Sequence, residues 1–134
     1  MANVFYRKGA EKVLQGQVNF STANIKAALV KNTYAQNLGT DEFFTSISAY
    51  VLNTPQTLLS KAIVTGVFDA ADITFTNVTA GDVSEGVVLY VDSGSAATSP
   101  LLAYIDTITG FPLTTNGGDI LVQWDGGANK IFSL

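Results

Sequence analysis

The sequence predicts an all-β protein, a single β-sandwich or jelly-roll-like domain that begins with a short helix. Residues with turn chemistry recur roughly every 8 to 15 positions, a spacing typical of sandwiches and barrels. Between the turns, apolar residues alternate with polar ones, most clearly where Ile73 and Phe75 flank Thr74. The length of 134 residues is that of one domain, so we expect residues 1–134 to form one β-rich unit.

The first element is predicted to be a helix over residues 6–14. Ala10, Val13 and Leu14 fall on one side of such a helix, and Gly16 stands where the helix should end. It has only about two turns, too few for an isolated helix to be stable in water. We therefore expect the apolar side to pack against the rest of the domain.

Seven to nine strands are expected after the helix. The predicted strand segments, in order, are 17–20, 25–30, 57–65, 73–75, 87–91, 101–105, 120–124 and 130–134. Residues 87–91 are apolar on both faces, which is typical of a central strand. Asp125, Gly126 and Gly127 are predicted to join the last two strands in a tight hairpin. The apolar end of the chain is expected to pair into a sheet.

Residues 32–56 form the least regular segment of the sequence. Asp41 is predicted to cap a single helical turn that carries Phe43, Phe44 and Ile47. A loop of this length in a small domain is often functional or bound to a partner.

The composition argues against an enzyme. The chain has no Cys and no His, so disulfides, histidine acid–base chemistry and a typical zinc or copper site are not expected. We therefore predict no cofactor. Charged residues make up 13% of the chain, against about 25% in typical domains. This low charge favours a surface partly buried against a partner, the alternative being a monomer with a neutral polar surface.

The charges are unevenly distributed along the chain. Five of the basic residues precede residue 32, and none lies between residues 62 and 129. The acidic remainder should repel phosphate, so nucleic-acid binding is disfavoured. The basic N-terminal segment is interpreted either as a docking face for an acidic surface, such as that of a second copy, or as ordinary solvated charge.

Three sets of residues could carry chemistry, and each has a simpler explanation. Ser60 and Lys61 are adjacent, so on a strand they point to opposite faces and do not form a nucleophile pair. Asp69 and Asp72 could hold calcium or act as acid and base, but both suit a turn. Four aspartates near strand ends could form a hydrolase pair or simply end strands: Asp92, Asp106, Asp119 and Asp125.

The N-terminal residues are not expected to form a secretory signal peptide. The charges near the N-terminus follow the apolar residues, unlike the order in a secretory signal peptide. No apolar run is long enough to span a membrane. We expect a protein that is made in the cytoplasm and used without secretory export.

Nearly the whole chain resembles the capsid decoration, cement or head-auxiliary proteins of tailed bacteriophages. The resemblance rests on the order of several segments: the opening helix that ends at residue 16, the strand at 22–30, the polar loop from Tyr34, the segments 68–75, 88–94 and 98–106, and the closing strands with Trp124. None of these segments is a catalytic signature, and the family's frequent histidines are absent.

The resemblance implies a non-enzymatic virion structural protein on the capsid exterior. It would bridge major capsid subunits and associate with itself, most simply as a trimer. No membrane partner is implied. The residues expected to make partner contacts are Phe5, Tyr6, Arg7, Lys8, Lys12, Tyr34, Phe43 and Phe44. Alternatives are a tail or head–tail joining component, or a carbohydrate-binding adhesion module whose exposed aromatics would include Tyr104 and Trp124.

Overall fold

The fold is built on one large antiparallel sheet with two smaller sheets packed on it, in a computed structural model that describes residues 3–133. The elements in chain order are β1 (Val4–Phe5), α1 (Arg7–Leu14), β2 (Ile25–Lys31), β3 (Val51–Thr57), β4 (Ala62–Val64), β5 (Val67–Asp69), β6 (Ile73–Phe75), β7 (Val83–Val91), β8 (Leu101–Ile105), β9 (Leu113–Thr114), β10 (Ile120–Val122) and β11 (Phe132–Ser133). The all-β prediction with an N-terminal helix is confirmed.

The large sheet has the order β1-β8-β7-β2-β3, and β9 pairs with the beginning of β7. The smaller sheets have the orders β10-β6 and β11-β5-β4. The predicted central strand at 87–91 is confirmed as part of β7, which lies between β2 and β8. The apolar end of the chain pairs into a sheet as expected, through β11 and β5.

The large sheet is buried on both faces. Val87 and Leu89 of β7 belong to a larger core cluster, which also contains the apolar side chains of the two smaller sheets. Val88 and Tyr90 point the other way, into a second cluster that Ile47 joins from the irregular segment. Residues 32–50 therefore cover one face of the sheet, while the smaller sheets cover the other.

Helix α1 lies against β8 at very close range. Gly9 is the contact point, since a Cβ atom there would lie 2.2 Å from the Leu101 carbonyl oxygen. The helix ends as predicted, with Gly16 in a left-handed conformation at a φ of 75°. The expected apolar side is wrong in one respect, because Leu14 is 88% exposed. None of the described helices is long and apolar enough to cross a membrane.

Two predicted strands are wrong. Residues 17–20 form no strand, although Val18 and Phe20 are buried, because the segment packs as irregular chain without a pairing partner among residues 3–133. The strand predicted at 57–65 is displaced: β3 ends at Thr57 and β4 begins at Ala62. Ser60, with a φ of 53°, lies in the left-handed region and breaks the extended chain between them.

The predicted hairpin at residues 125–127 is also wrong. β10 pairs with β6 and β11 pairs with β5, so the two strands lie in different sheets. Asp125 instead accepts a hydrogen bond from the Gly127 backbone N–H at 3.1 Å, which closes a local turn. A tight hairpin does occur elsewhere in the described chain, between β4 and β5. Its two-residue turn consists of Thr65 and Gly66, both with positive φ.

Candidate functional site

The N-terminal helix and the irregular segment, predicted separately as contact regions, meet in the structure. The Arg7 backbone N–H donates to the Leu38 carbonyl oxygen at 2.8 Å. Lys12 donates to Glu42 at 2.8 Å, and its ammonium group lies 5.1 Å from the centre of the Phe43 ring. We call this surface the helix–loop face and define it by Arg7, Lys8, Lys12, Leu14, Glu42, Phe43 and Phe44.

Beneath this face lies a buried chain of hydroxyl groups. Tyr34 donates to Asp41 at 2.7 Å, so the Tyr6 hydroxyl, 2.7 Å away, must donate to the Tyr34 oxygen. Burial raises the pKa of both tyrosine hydroxyls well above the ordinary value. This hydrogen-bonded chain fixes the loop against β1 and the helix start.

Tyr6 and Tyr34 are therefore not surface contacts. Tyr6 is fully buried, and Tyr34 is 7% exposed. Phe5 is half-buried and packs edge-on against Phe132, with ring centres 4.9 Å apart, on the opposite side of the sheet from the helix–loop face. The burial of Tyr6 and Tyr34 corrects the expectation that they contact a partner, whereas the contact predicted for the half-buried Phe5 stays a prediction.

Asp41 does not cap a helical turn, which corrects the sequence prediction. A 3₁₀ turn over Phe44–Ser46 begins after Phe43 and has no side-chain cap. Asp41 instead accepts from the Tyr34 hydroxyl and from the Asn37 backbone N–H. The Asp41 carboxylate therefore holds the preceding part of the loop together. It lies three residues before the first residue of the 3₁₀ turn, Phe44.

The basic N-terminal segment is largely neutralised within the chain. The acidic partners are Glu42 for Lys12, Asp92 for Lys26 and Asp82 for Lys31, at 2.8, 2.8 and 3.9 Å. The hydrogen bond from Lys12 lowers the pKa of Glu42, and that from Lys26 lowers the pKa of Asp92. In residues 3–133, Arg7 and Lys8 have no such ion pair, so the positive charge of the helix–loop face comes from these two.

Leu14 extends the same exposed ridge of the helix. It follows Arg7 by seven residues, which places both side chains on one side of α1. At 88% exposure it is the most exposed large apolar residue described. The sequence pattern missed it as a contact residue because it was assigned to the packing side.

Most of the candidate aspartates accept hydrogen bonds from backbone N–H groups, either within a turn or between distant segments. Asp72 accepts from the Trp124 backbone N–H at 3.0 Å, and Asp119 accepts from Asn77 at 3.0 Å. Asp92 accepts from the Gly94 backbone N–H in addition to its ion pair. Ser60 and Lys61 make no pair, since Lys61 donates to the Ala23 carbonyl oxygen.

Asp106 differs from the other aspartates. Burial raises the pKa of its carboxyl group, and it lines a hollow of about 300 Å³ together with Asp125. These two are therefore the only members of the four-aspartate set predicted as a hydrolase pair that line one hollow among those described. The hollow also includes Thr107, Ile108 and Thr109, and Asp125 is already held by its own turn.

The aromatic residues proposed for sugar stacking are in the core. Trp124 is 6% exposed, and its indole N–H donates to the Ala71 carbonyl oxygen at 3.0 Å. Tyr104 is 3% exposed. Stacking on a sugar needs an exposed ring face, so these two residues do not supply a carbohydrate site.

Comparison with models of known protein families found no match, and comparison with curated proteins found none either.

Proposed function

We propose that this protein is a non-enzymatic structural module that binds its partner through the helix–loop face. The observation that carries the proposal is the union of the exposed Arg7 and the half-exposed Lys8 with the exposed Leu14, on a helix fixed to the sheet. A rigid surface that combines charge with an apolar anchor is what a partner interface requires.

The resemblance noted in the sequence makes the partner a phage major capsid protein. In this proposal the module sits on the capsid exterior and bridges neighbouring subunits, and copies associate with one another. The capsid surface contacted by Arg7 and Lys8 would be acidic. A tail or head–tail joining position remains the alternative, and it would use the same face.

The helix–loop face is held in place by several independent interactions. The Tyr6–Tyr34–Asp41 hydrogen bonds hold the loop, and the Lys12–Glu42 ion pair joins the loop to the helix. Because these groups are already ordered, binding would lose little conformational freedom.

The proposal is tested by co-sedimentation of the purified protein with capsids assembled from the major capsid protein encoded in the same genome. Lys8→Glu should weaken binding by roughly tenfold or more, because it places a negative charge against an acidic surface. Lys130→Glu is the matched control, since Lys130 is also half-exposed but lies far from α1 in the chain and lines a different hollow. The control should bind like the parent protein.

Two results would overturn the proposal. One is a parent protein that does not bind these capsids at all. The other is equal binding by Lys8→Glu, Lys130→Glu and the parent. Imaging of the particle separates the two structural positions, because a ring at one vertex indicates the head–tail joint rather than the capsid surface.

A further inference from the structure

One edge of the three-stranded sheet is both exposed and apolar. β4 is the last strand of the order β11-β5-β4, and no strand of residues 3–133 pairs with its outer side. All three of its residues are exposed, with Ile63 at 49% and Val64 at 66%. Leu59, just before the strand, is 65% exposed. Edge strands in natural proteins usually carry charges or proline, and β4 has neither.

The backbone of β4 is oriented to accept another strand. Thr65 and Gly66 form a two-residue turn with positive φ at both positions, so Val64 and Val67 are the hydrogen-bonded pair next to it. Hydrogen-bonded and non-hydrogen-bonded pairs alternate along an antiparallel ladder. The N–H and C=O groups of Ile63 therefore point away from β5, toward the open edge.

Each face of this edge has its own hollow. On one face, Ile63 borders an apolar hollow of about 100 Å³ lined by Phe20, Phe68 and Phe132. On the other, Ala62 and Val64 border a second hollow that includes Asp69 and Lys130. A strand added at the edge would place alternate side chains over these two hollows, the arrangement used in recognition by strand addition.

We propose that β4 pairs antiparallel with β4 of a second copy of this chain, around a twofold axis at Ile63. The side chains of β4 match the two hollows beside its own edge. In the pair, Ile63 of the second copy lies over the apolar hollow, and its Ala62 and Val64 lie over the other hollow. The charges also agree: the pairing places Lys61 opposite Thr65 of the second copy, so no like charges face each other. Twofold contacts of this kind are self-complementary.

The size of the contact sets its strength. A standard interface buries about 800 Å² on each partner over 20–30 residues, or roughly 30–40 Å² per residue. The exposed stretch from residue 59 to residue 66 then gives about 300 Å², which corresponds to a weak and concentration-dependent dimer. This pairing does not depend on the capsid proposal, because it leaves the helix–loop face free.

The first test is sedimentation equilibrium over a range of concentrations up to about 1 mM. The parent protein should show a dimer whose share rises with concentration. Ile63→Lys should raise the dissociation constant by roughly tenfold or more, because two like charges then lie directly opposite each other. The matched control is Leu121→Lys on β10, whose residue is 54% exposed, and it should dimerise like the parent.

The second test uses the absence of cysteine from the chain. Ile63→Cys, treated with a short bismaleimide, should give a crosslinked dimer in much higher yield than Thr74→Cys, an exposed strand position of another sheet. A parent that stays monomeric at every concentration would overturn the proposal and leave the edge to a strand of a different protein. Equal crosslinking at positions 63 and 74, or equal dimerisation by the two lysine variants, would also overturn it. Loss of capsid binding by Lys8→Glu with unchanged dimerisation separates this proposal from the previous one.

Discussion

Gly9→Ala should destabilise the protein, although helix propensity alone predicts the opposite. Alanine is about 1 kcal/mol better than glycine inside a helix. In the structure, however, the added Cβ would lie 2.2 Å from the Leu101 carbonyl oxygen and 3.0 Å from the Leu102 Cα. Both atoms belong to the backbone of β8, so no flexible side chain can move aside.

The size of the effect follows from these two opposing contributions. Forcing an extra carbon into a packed interior typically costs about 1–3 kcal/mol, and helix propensity returns about 1 kcal/mol of that. Because both clashes are with backbone atoms, the cost lies at the upper end of that range, and we expect a net loss of about 2 kcal/mol in the free energy of unfolding. For a domain of this size, the loss corresponds to a fall of roughly 3–10 °C in Tm.

Urea unfolding followed by far-ultraviolet circular dichroism measures this loss. Gly126→Ala is the matched control, since its Cβ would meet nothing within 4 Å and Gly126 is not among the residues with positive φ. It should be neutral or stabilising by about 0.4–1 kcal/mol. If Gly9→Ala is as stable as the parent or more stable, α1 does not rest on β8 as described, and the rigid helix–loop face loses its basis.

Three further predictions concern other parts of the fold. Burial raises the pKa of Tyr90 and Tyr104 to about 12, above the ordinary value of about 10 for a tyrosine hydroxyl, so their neutral forms stabilise the fold below about pH 10 and this stabilisation is lost as the pH rises toward 12. Tyr90→Phe should make the decline in unfolding free energy shallower, and an unchanged slope would contradict the assignment. Thr65→Asn should stabilise by about 0.5–1 kcal/mol in thermal unfolding, because a β-branched residue at a φ of 48° is strained and asparagine suits this turn; a loss of stability would count against the turn. Asp72→Ala should lower the unfolding free energy by about 1 kcal/mol and alter the Trp124 fluorescence, because it removes the acceptor for the Trp124 backbone N–H. An unaltered emission spectrum and an unaltered unfolding midpoint would contradict this role.

The strands that the sequence predicts well are those whose side-chain pattern decides their environment. Ile73 and Phe75 alternate with an exposed Thr74, and residues 101–105 are buried throughout. In these segments the two-residue period of a strand is visible without knowledge of the partner strand. The fold class could therefore be predicted from local pattern.

Strand pairing could not be predicted in the same way. Residues 120–124 and 130–134 are close in sequence, and Asp125, Gly126 and Gly127 lie between them, which suggested a hairpin. Their partners are β6 and β5, which lie far away in the chain. The side-chain pattern of a short apolar strand predicts that the strand is buried, but it does not predict which strand pairs with it. Backbone hydrogen bonds are the same with any partner strand.

The displaced strand β3 has a different cause. Asn53 and Pro55 belong to the segment 32–56 that the sequence predicted to be irregular, yet both lie inside β3. Asn53 has a φ of 63°, and the register with β2 shifts between Ala27 and Leu29, so the strand accommodates extra residues as a bulge. Pro55 is tolerated because β3 lies at the edge of the large sheet, where one side of the backbone needs no partner.

The candidate surface was predictable in part. The helix charges and the loop aromatics are visible in the sequence, but their meeting through Lys12, Glu42 and Phe43 depends on tertiary contacts. The charge asymmetry was misleading for the same reason. It mostly reflects internal pairs such as Lys26 with Asp92, whose members are separated by 66 positions of chain.

The topology of the large sheet has a consequence for synthesis on the ribosome. β1, the first strand of the chain, pairs with β8 through Val4 and Tyr104, and β2 needs β7. Contacts this distant in sequence close slowly, because a long loop must be ordered before they form. The sheet therefore cannot be completed until β9, at residues 113–114, has emerged, and before β7 emerges β2 leaves apolar side chains on both faces without cover. The large sheet therefore folds late in synthesis. The nascent chain is most prone to aggregation while only its N-terminal half has been made.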